Sequence, residues 1–197
     1  MRKFIAVPFL CLLATSATLA QIPKGNIFVG YSYTRADVLP ASNPTILSSP
    51  VRANLNGWNG SLEGKVFPFF GIVVDISSHY GGQDFRFGCE AIPSPPCTGQ
   101  AHANSTLHNY LFGPRVSVSV GKFTPFAHAL FGAAHINTSG SGFSNSDTSF
   151  AEALGGGIDY KLIPAVAWRF QGDLLQIRFF STTQNNLRLS TGLVIRF

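Results

Sequence analysis

Polar and apolar residues alternate along most of this chain with a period of two, the repeat of a β-strand whose two faces meet different surroundings. The carboxy-terminal stretch shows it most clearly. Leu187, Leu189, Thr191, Leu193, Ile195 and Phe197 fall on one side of an extended segment, and Arg188, Ser190, Gly192, Val194 and Arg196 on the other. Similar segments run over Asn26 to Arg35, Leu55 to Val66, Phe70 to Tyr80, Leu107 to Val120, Thr124 to Asn137, Phe150 to Lys161 and Ala165 to Arg178, which predicts eight strands in all. Their apolar faces carry residues such as Ile27, Val29, Trp58, Leu62, Ile72, Val74, Phe112, Val116, Trp168 and Phe170. Ten charged residues fall on the opposite faces: Glu63, Lys65, Asp75, Arg115, Asp159, Lys161, Arg169, Asp173, Arg188 and Arg196. Two strands are less clear. In the fifth, Phe126, His128, Leu130 and Ile136 oppose Ala127, Ala129, Phe131 and His135, so neither face is polar. The sixth contains Gly155-Gly156-Gly157, where missing side chains permit a bend or a close approach.

The connections alternate in length. Phe67-Pro68-Phe69, Gly121-Lys122-Phe123 and Leu162-Ile163-Pro164 predict tight turns, whereas Ala36 to Asn54, Gly81 to Thr106 and Thr138 to Ser149 predict long polar loops rich in turn-forming residues. Short turns on one rim and long loops on the other fit an eight-stranded antiparallel up-and-down transmembrane β-barrel, whose strands need about 9–11 residues to cross a bilayer. A soluble lipocalin-like barrel has the same period with the faces exchanged. In that reading Trp58, Ile72, Val74, Trp168, Leu193 and Phe197 would line an apolar ligand cavity, and Arg169, Asp173 and Arg188 would be solvated outside. The terminal Phe197 and the unequal connections favour the membrane barrel.

Composition and the amino terminus narrow the setting. Charged residues make up only 12% of the chain, and no apolar stretch beyond the first twenty residues reaches the ~20 residues of a membrane helix. Arg2 and Lys3, the apolar Phe4 to Ala14 and the small residues Thr15 to Ala20 read as a secretory signal over residues 1–20, leaving a barrel domain over 21–197. Removal of Arg2 and Lys3 lowers the formal charge from +5 to +3, and the remaining basic residues form no stripe, which argues against a nucleic-acid partner. Cys89 and Cys97 then remain, in a segment with Pro93, Pro95 and Pro96. In an exported chain such a pair predicts a disulfide, contributing about 2–3 kcal/mol on the chain-entropy model. A metal reading finds only Glu90 and His102 as further ligands.

The segments F-V-G-Y-S-Y-T-R at Phe28 to Arg35, N-Y-L-F-G-P-R-V-S at Asn109 to Ser117, P-F-A-H-A-L-F-G at Pro125 to Gly132, G-G-G-I-D-Y at Gly155 to Tyr160, W-R-F-Q-G-D at Trp168 to Asp173 and the terminal R-F follow one another in a recognisable order. Over residues 24 to 197 the chain resembles the eight-stranded outer-membrane β-barrel family, the group of opacity-type surface proteins and the barrel of outer-membrane protein A. The resemblance implies a place in the bacterial outer membrane, lipid contact, and long loops outside the cell facing an unidentified partner. It also implies that the terminal strand with Phe197 resembles the signal read by the outer-membrane assembly machinery.

An eight-stranded barrel has an interior just wide enough for side chains to fill. The ten inward charges therefore predict a paired polar plug, with a small ion-conducting pore as the alternative use of the same residues. Tyr31, Tyr33, Trp58, Tyr80, Tyr110, Phe126, Tyr160 and Trp168 are candidates for interfacial aromatic girdles. Catalysis on lipid would need a Ser and a His within reach at the barrel surface, and His79 beside Ser78, His108 near Ser105 and His135 near Ser139 are local pairs. None lies in a nameable motif, so the expectation is a structural or surface-interaction protein that is not an enzyme and uses no cofactor or metal.

Overall fold

The structure is a computed structural model and describes residues 24–39, 51–89, 97–140, 143–179 and 183–197. The predicted signal at residues 1–20 lies outside them. Eight antiparallel strands close on themselves in sequence order: β1 (Gly25–Leu39), β2 (Val51–Phe67), β3 (Phe70–Cys89), β4 (Cys97–Ser117), β5 (Phe123–Gly140), β6 (Phe143–Ile163), β7 (Val166–Ile177) and β8 (Gln184–Arg196). β8 pairs with β1 from Asn26↔Arg196 to Arg35↔Leu187, so no sheet edge remains. Gly25 and Phe197 exchange backbone hydrogen bonds of 3.0 and 3.1 Å at the seam.

The tight connections fall where the sequence predicts them. Between β4 and β5 the chain turns through Val120↔Phe123, with Gly121 at φ 61°. A two-residue hairpin of this kind needs positive φ to match the strand twist, and glycine adopts it without a Cβ clash. The long connections differ from expectation. Gly81 to Thr106 is not a loop along its length: the β3–β4 ladder continues unbroken from Tyr80↔Thr106 to Cys89↔Cys97. β5 and β6 likewise remain paired as far as Gly140↔Phe143.

A reversal of the alternation explains these extensions. Toward the short turns, apolar residues point outward and polar ones inward: Val29, Trp58, Phe112 and Phe170 are exposed, whereas Ser32, Asn59, Asn109 and Arg169 are buried. Further along the same strands the pattern inverts. On β2, Asn54 and Asn56 point out and Ala53 and Leu55 in; on β4, His102 and Asn104 point out and Ala103 and Leu107 in; on β7, Gln176 points out and Leu175 and Ile177 in. Apolar-out is the arrangement for a wall facing lipid, and apolar-in the arrangement for a wall facing water. The change of sign marks a water boundary, and beyond it the barrel continues as a water-facing β-structure. Aromatic residues with polar ends, Tyr31, Trp58, Tyr80 and Tyr110, lie exposed near this boundary.

The lipocalin-like alternative does not hold, because Trp58, Ile72, Val74, Trp168, Leu193 and Phe197 point outward while Arg169, Asp173 and Arg188 are buried inside. Phe126 also departs from expectation. It is 7% exposed and lies inside the barrel, not in an aromatic girdle. The inward face of β5 is thereby settled as Thr124, Phe126, His128, Leu130, Ala134 and Ile136.

Candidate functional site

The short-turn half of the interior holds the charged residues. Arg188 on β8 donates through Nε to Asp173 Oδ2 at 2.8 Å and through Nη1 to Asp75 Oδ1 at 2.7 Å, spanning from β7 to β3. Asn59 donates to the other Asp75 oxygen at 2.9 Å, and Gln171 donates to Asp173 at 2.9 Å. Nearer the short turns, Arg169 donates to both oxygens of Asp159 at 2.7 and 3.0 Å, and Arg115 Nη1 donates to Glu63 Oε2 at 3.1 Å. Glu63, Asp75, Arg115, Asp159, Arg169, Asp173 and Arg188 are each no more than 3% exposed. Groups this deep hold their charge only when paired and hydrogen-bonded.

His128 joins the two clusters. Its Nδ1 lies 3.1 Å from Arg115 Nη2 and its Nε2 lies 2.8 Å from Asp173 Oδ1. Arginine can only donate, so Nδ1 accepts and the ring proton sits on Nε2, donated to the carboxylate. Asn26 closes the remaining gap by accepting from Arg169 at 3.4 Å and donating to Glu63 at 2.8 Å. A continuous chain results: Asp159, Arg169, Asn26, Glu63, Arg115, His128, Asp173, Arg188, Asp75, Asn59. These residues come from all eight strands. Phe126 lies beneath Arg115 and Arg169, with ring centroids 4.4 and 4.6 Å from the guanidinium carbons, so its negative ring face supports both cations.

The glycine run on β6 makes this packing feasible. Gly155 and Gly157 face inward, and a Cβ on Gly155 would lie 2.1 Å from Asp173 Oδ1, while one on Gly157 would lie 2.9 Å from the Phe126 ring. Side chains there would displace the two groups that complete the network.

Three expected members of the plug stand apart. Lys161 is exposed at the short-turn rim, where the β6–β7 register shifts between Lys161 and Ile163 and inward parity ceases to mean burial. Lys65, half-buried, donates to Ser117 Oγ at 2.9 Å, and Arg196, with a side chain 26% exposed, reaches Asp159 at 3.5 Å. Both line a recess of about 940 Å³ that opens among the short turns. Nor is the interior polar throughout. Toward the long hairpins it is filled by an aliphatic cluster that includes Leu55, Leu107, Leu130, Ile136, Leu175, Ile177 and Phe179. Between cluster and charges lie His79, Ser32 and Ser190, joined by contacts of 2.9 Å.

Alternation alone does not single out His128, Asn26 and Phe126 as members of this chain. The glycine run opposite His128, with Gly155 its direct partner, is the signal that could have identified the inward face of β5.

The local Ser and His pairs are rearranged. His79 points into the barrel, and Ser78 instead contacts His108 across the β3–β4 ladder at 2.8 Å. His108 is the direct partner of His135, which contacts Thr148 at 2.6 Å. Ser78, His108, His135 and Thr148 thus form one outward polar row across four strands, at the level where the outer face changes from apolar to polar.

On the β3–β4 extension, exposed His102 contacts Asp84 at 2.7 Å and Asn104 at 3.3 Å. The hydrogen bond to Asp84, with a smaller one to Asn104, holds the imidazole pKa above its ordinary value of 6.5. Cys89 and Cys97 are direct backbone partners at the end of this ladder. Among the described residues no group of three or more His, Cys, Asp or Glu could hold a metal ion.

An apolar outer wall, a charged and filled inner half, and closure through β1 and β8 together define an eight-stranded β-barrel of the outer-membrane type. Solved structures of outer-membrane proteins share the barrel fold. The Yersinia pestis attachment invasion locus protein Ail, in complex with the heparin analogue sucrose octasulfate, matches with a TM-score of 0.58 at 15% identity over 89% of this chain and 99% of its own. Neisserial surface protein A matches with a TM-score of 0.56 at 14% identity over 88% and 97%. The outer-membrane protease OmpT of Escherichia coli matches with a TM-score of 0.52 at 10% identity over 92% and 100%. No family model matches the sequence, and no curated protein matches it.

Proposed function

We propose that the protein is a non-conducting barrel of the bacterial outer membrane that presents its β3–β4 and β5–β6 hairpins outside the cell for contact with a partner. The observation that carries this reading is the hydrogen-bonded chain through all eight strands, backed by the aliphatic cluster. An ion crossing the lumen would have to break paired, buried charges and then traverse an apolar layer, each step without compensating solvation. The paired hairpins place a stiff platform beyond the boundary, and surface contacts usually reside on such projections. The attachment and surface roles named for Ail and for the neisserial protein fit the same use of the fold. Ser78, His108 and His135 belong in this reading to the polar row at the membrane edge, and no catalytic role is assigned to them.

Planar-bilayer recording tests the reading. The purified mature protein is expected to give no stepwise conductance. Steady openings abolished by Arg169→Gln with Asp173→Asn would establish the pore instead.

A further inference from the structure

We propose that the recess at the short-turn mouth is a binding site for a phosphate-bearing anion. Its volume of about 940 Å³ lies within the range of small-molecule sites. The two carboxylates that line it are already neutralised from within. Both oxygens of Asp159 accept from Arg169, and Glu63 Oε2 accepts from Arg115 and Asn26, while Glu63 Oε1 has no hydrogen-bond partner among the described residues. Lys24, Lys65 and Arg196 also line the recess, so its side chains carry three positive charges beyond the paired set. Arg196 is held by contacts of 3.4 Å to Thr124 and 3.5 Å to Asp159, both long for a charge-assisted hydrogen bond. Both contacts are weak enough for a phosphate oxygen to compete for the guanidinium.

A second observation points the same way. Arg169 is buried and lines the recess, yet its Nη1 has no hydrogen-bond partner among the described residues. That N–H is closed off from the open space of the recess, so Arg169 acts on an anion there through its charge and not through a direct hydrogen bond. The surrounding turns supply no competing anion: residues 64–71, 117–125 and 160–166 contain no Asp or Glu. They contribute Lys122 and Lys161, both exposed at the rim, which raise the positive potential at the mouth. Arginine and lysine donors with the Ser117 and Thr124 hydroxyls form a donor set suited to phosphate. The phosphate could belong to a lipid headgroup at the adjacent leaflet or to a soluble molecule.

The test is calorimetric titration of the refolded mature barrel in a zwitterionic detergent, with inorganic pyrophosphate and separately with short-chain phosphatidylglycerol. Saturable binding of either supports the site; the first identifies a soluble source and the second alone a headgroup. Lys65→Gln with Arg196→Gln should weaken binding about tenfold or more, the loss expected for hydrogen bonds to a charged group. Heat-modifiable migration verifies folding, and Lys65→Gln alone serves if the pair fails to fold. Arg35→Gln, exposed on the outer wall at the opposite end of the barrel, should leave affinity unchanged. No saturable binding of either probe, unchanged affinity in the Lys65 and Arg196 variants, or an equal loss in Arg35→Gln would overturn the proposal.

Discussion

Arg188 is the residue on which the interior depends most. It is fully buried and bridges Asp75 and Asp173, so its removal leaves two carboxylates without their cation in a closed core. Breaking a buried pair by deleting one partner costs about 3–5 kcal/mol. Arg188→Met should therefore lower stability by that amount in urea unfolding from lipid vesicles. Lys161→Gln, at the exposed rim, should change it by no more than about 0.5 kcal/mol; similar losses in the two variants would contradict the placement of Lys161. A second residue-scale expectation concerns His102. Its pKa is raised in the folded hairpin, so the contact with Asp84 stabilises the hairpin fully below pH 6.5 and is lost as pH rises through the raised value. An NMR titration of His102 should show a midpoint above 6.5 that moves back toward 6.5 in Asp84→Asn. A midpoint insensitive to that replacement would show that the pair does not form.

At the scale of elements, the β3–β4 hairpin separates the barrel from what it displays. The strands span 20 and 21 residues, about twice the length needed to cross a bilayer, and their ends lie beyond the apolar band. Cys89 and Cys97 are backbone partners at the last ladder position, and the disulfide expected from the sequence would join the two strand ends there. Because the strands below are joined to neighbours on both sides, replacing both cysteines with serine should leave heat-modifiable migration unchanged and increase protease cleavage between Gly81 and Thr106. Collapse of the barrel in that variant, or free thiols in the oxidised protein, would show that the bridge is not a local lock. The same hairpin shows why loop and strand are hard to separate from composition alone. Gly, Gln and Asn suit turns, but here Gly82, Gln100 and Asn104 occupy the outward face of a ladder whose inward face includes Ala103, Ser105 and Leu107.

For the whole molecule, closure rests on the pairing of the first and last strands, and Phe197 ends that seam with its ring exposed. Its outward position keeps it clear of the buried network, so its contribution to folding in detergent should be small. Deletion of Phe197 is expected to reduce assembly in cells while leaving refolding in detergent nearly intact. Equal loss in both settings would assign the residue to barrel stability and not to recognition by the assembly machinery.

Strand number, the direction of most faces and the position of the tight turns are properties of the sequence itself, because a period of two assigns each side chain to a face wherever the faces differ chemically. The inward placement of Glu63, Asp75, Arg169, Asp173 and Arg188 is legible for that reason. Where both faces are apolar, as on β5, periodicity carries no sign, and the position of His128 and Phe126 depends on the space left by Gly155 and Gly157 on the neighbouring strand. The tertiary structure alone decided which charges meet, since Arg188 and Asp75 lie 113 residues apart and are joined only when the sheet closes. It also decided where the barrel wall leaves the apolar environment, because that level is set by the register of neighbouring strands and not by any one of them.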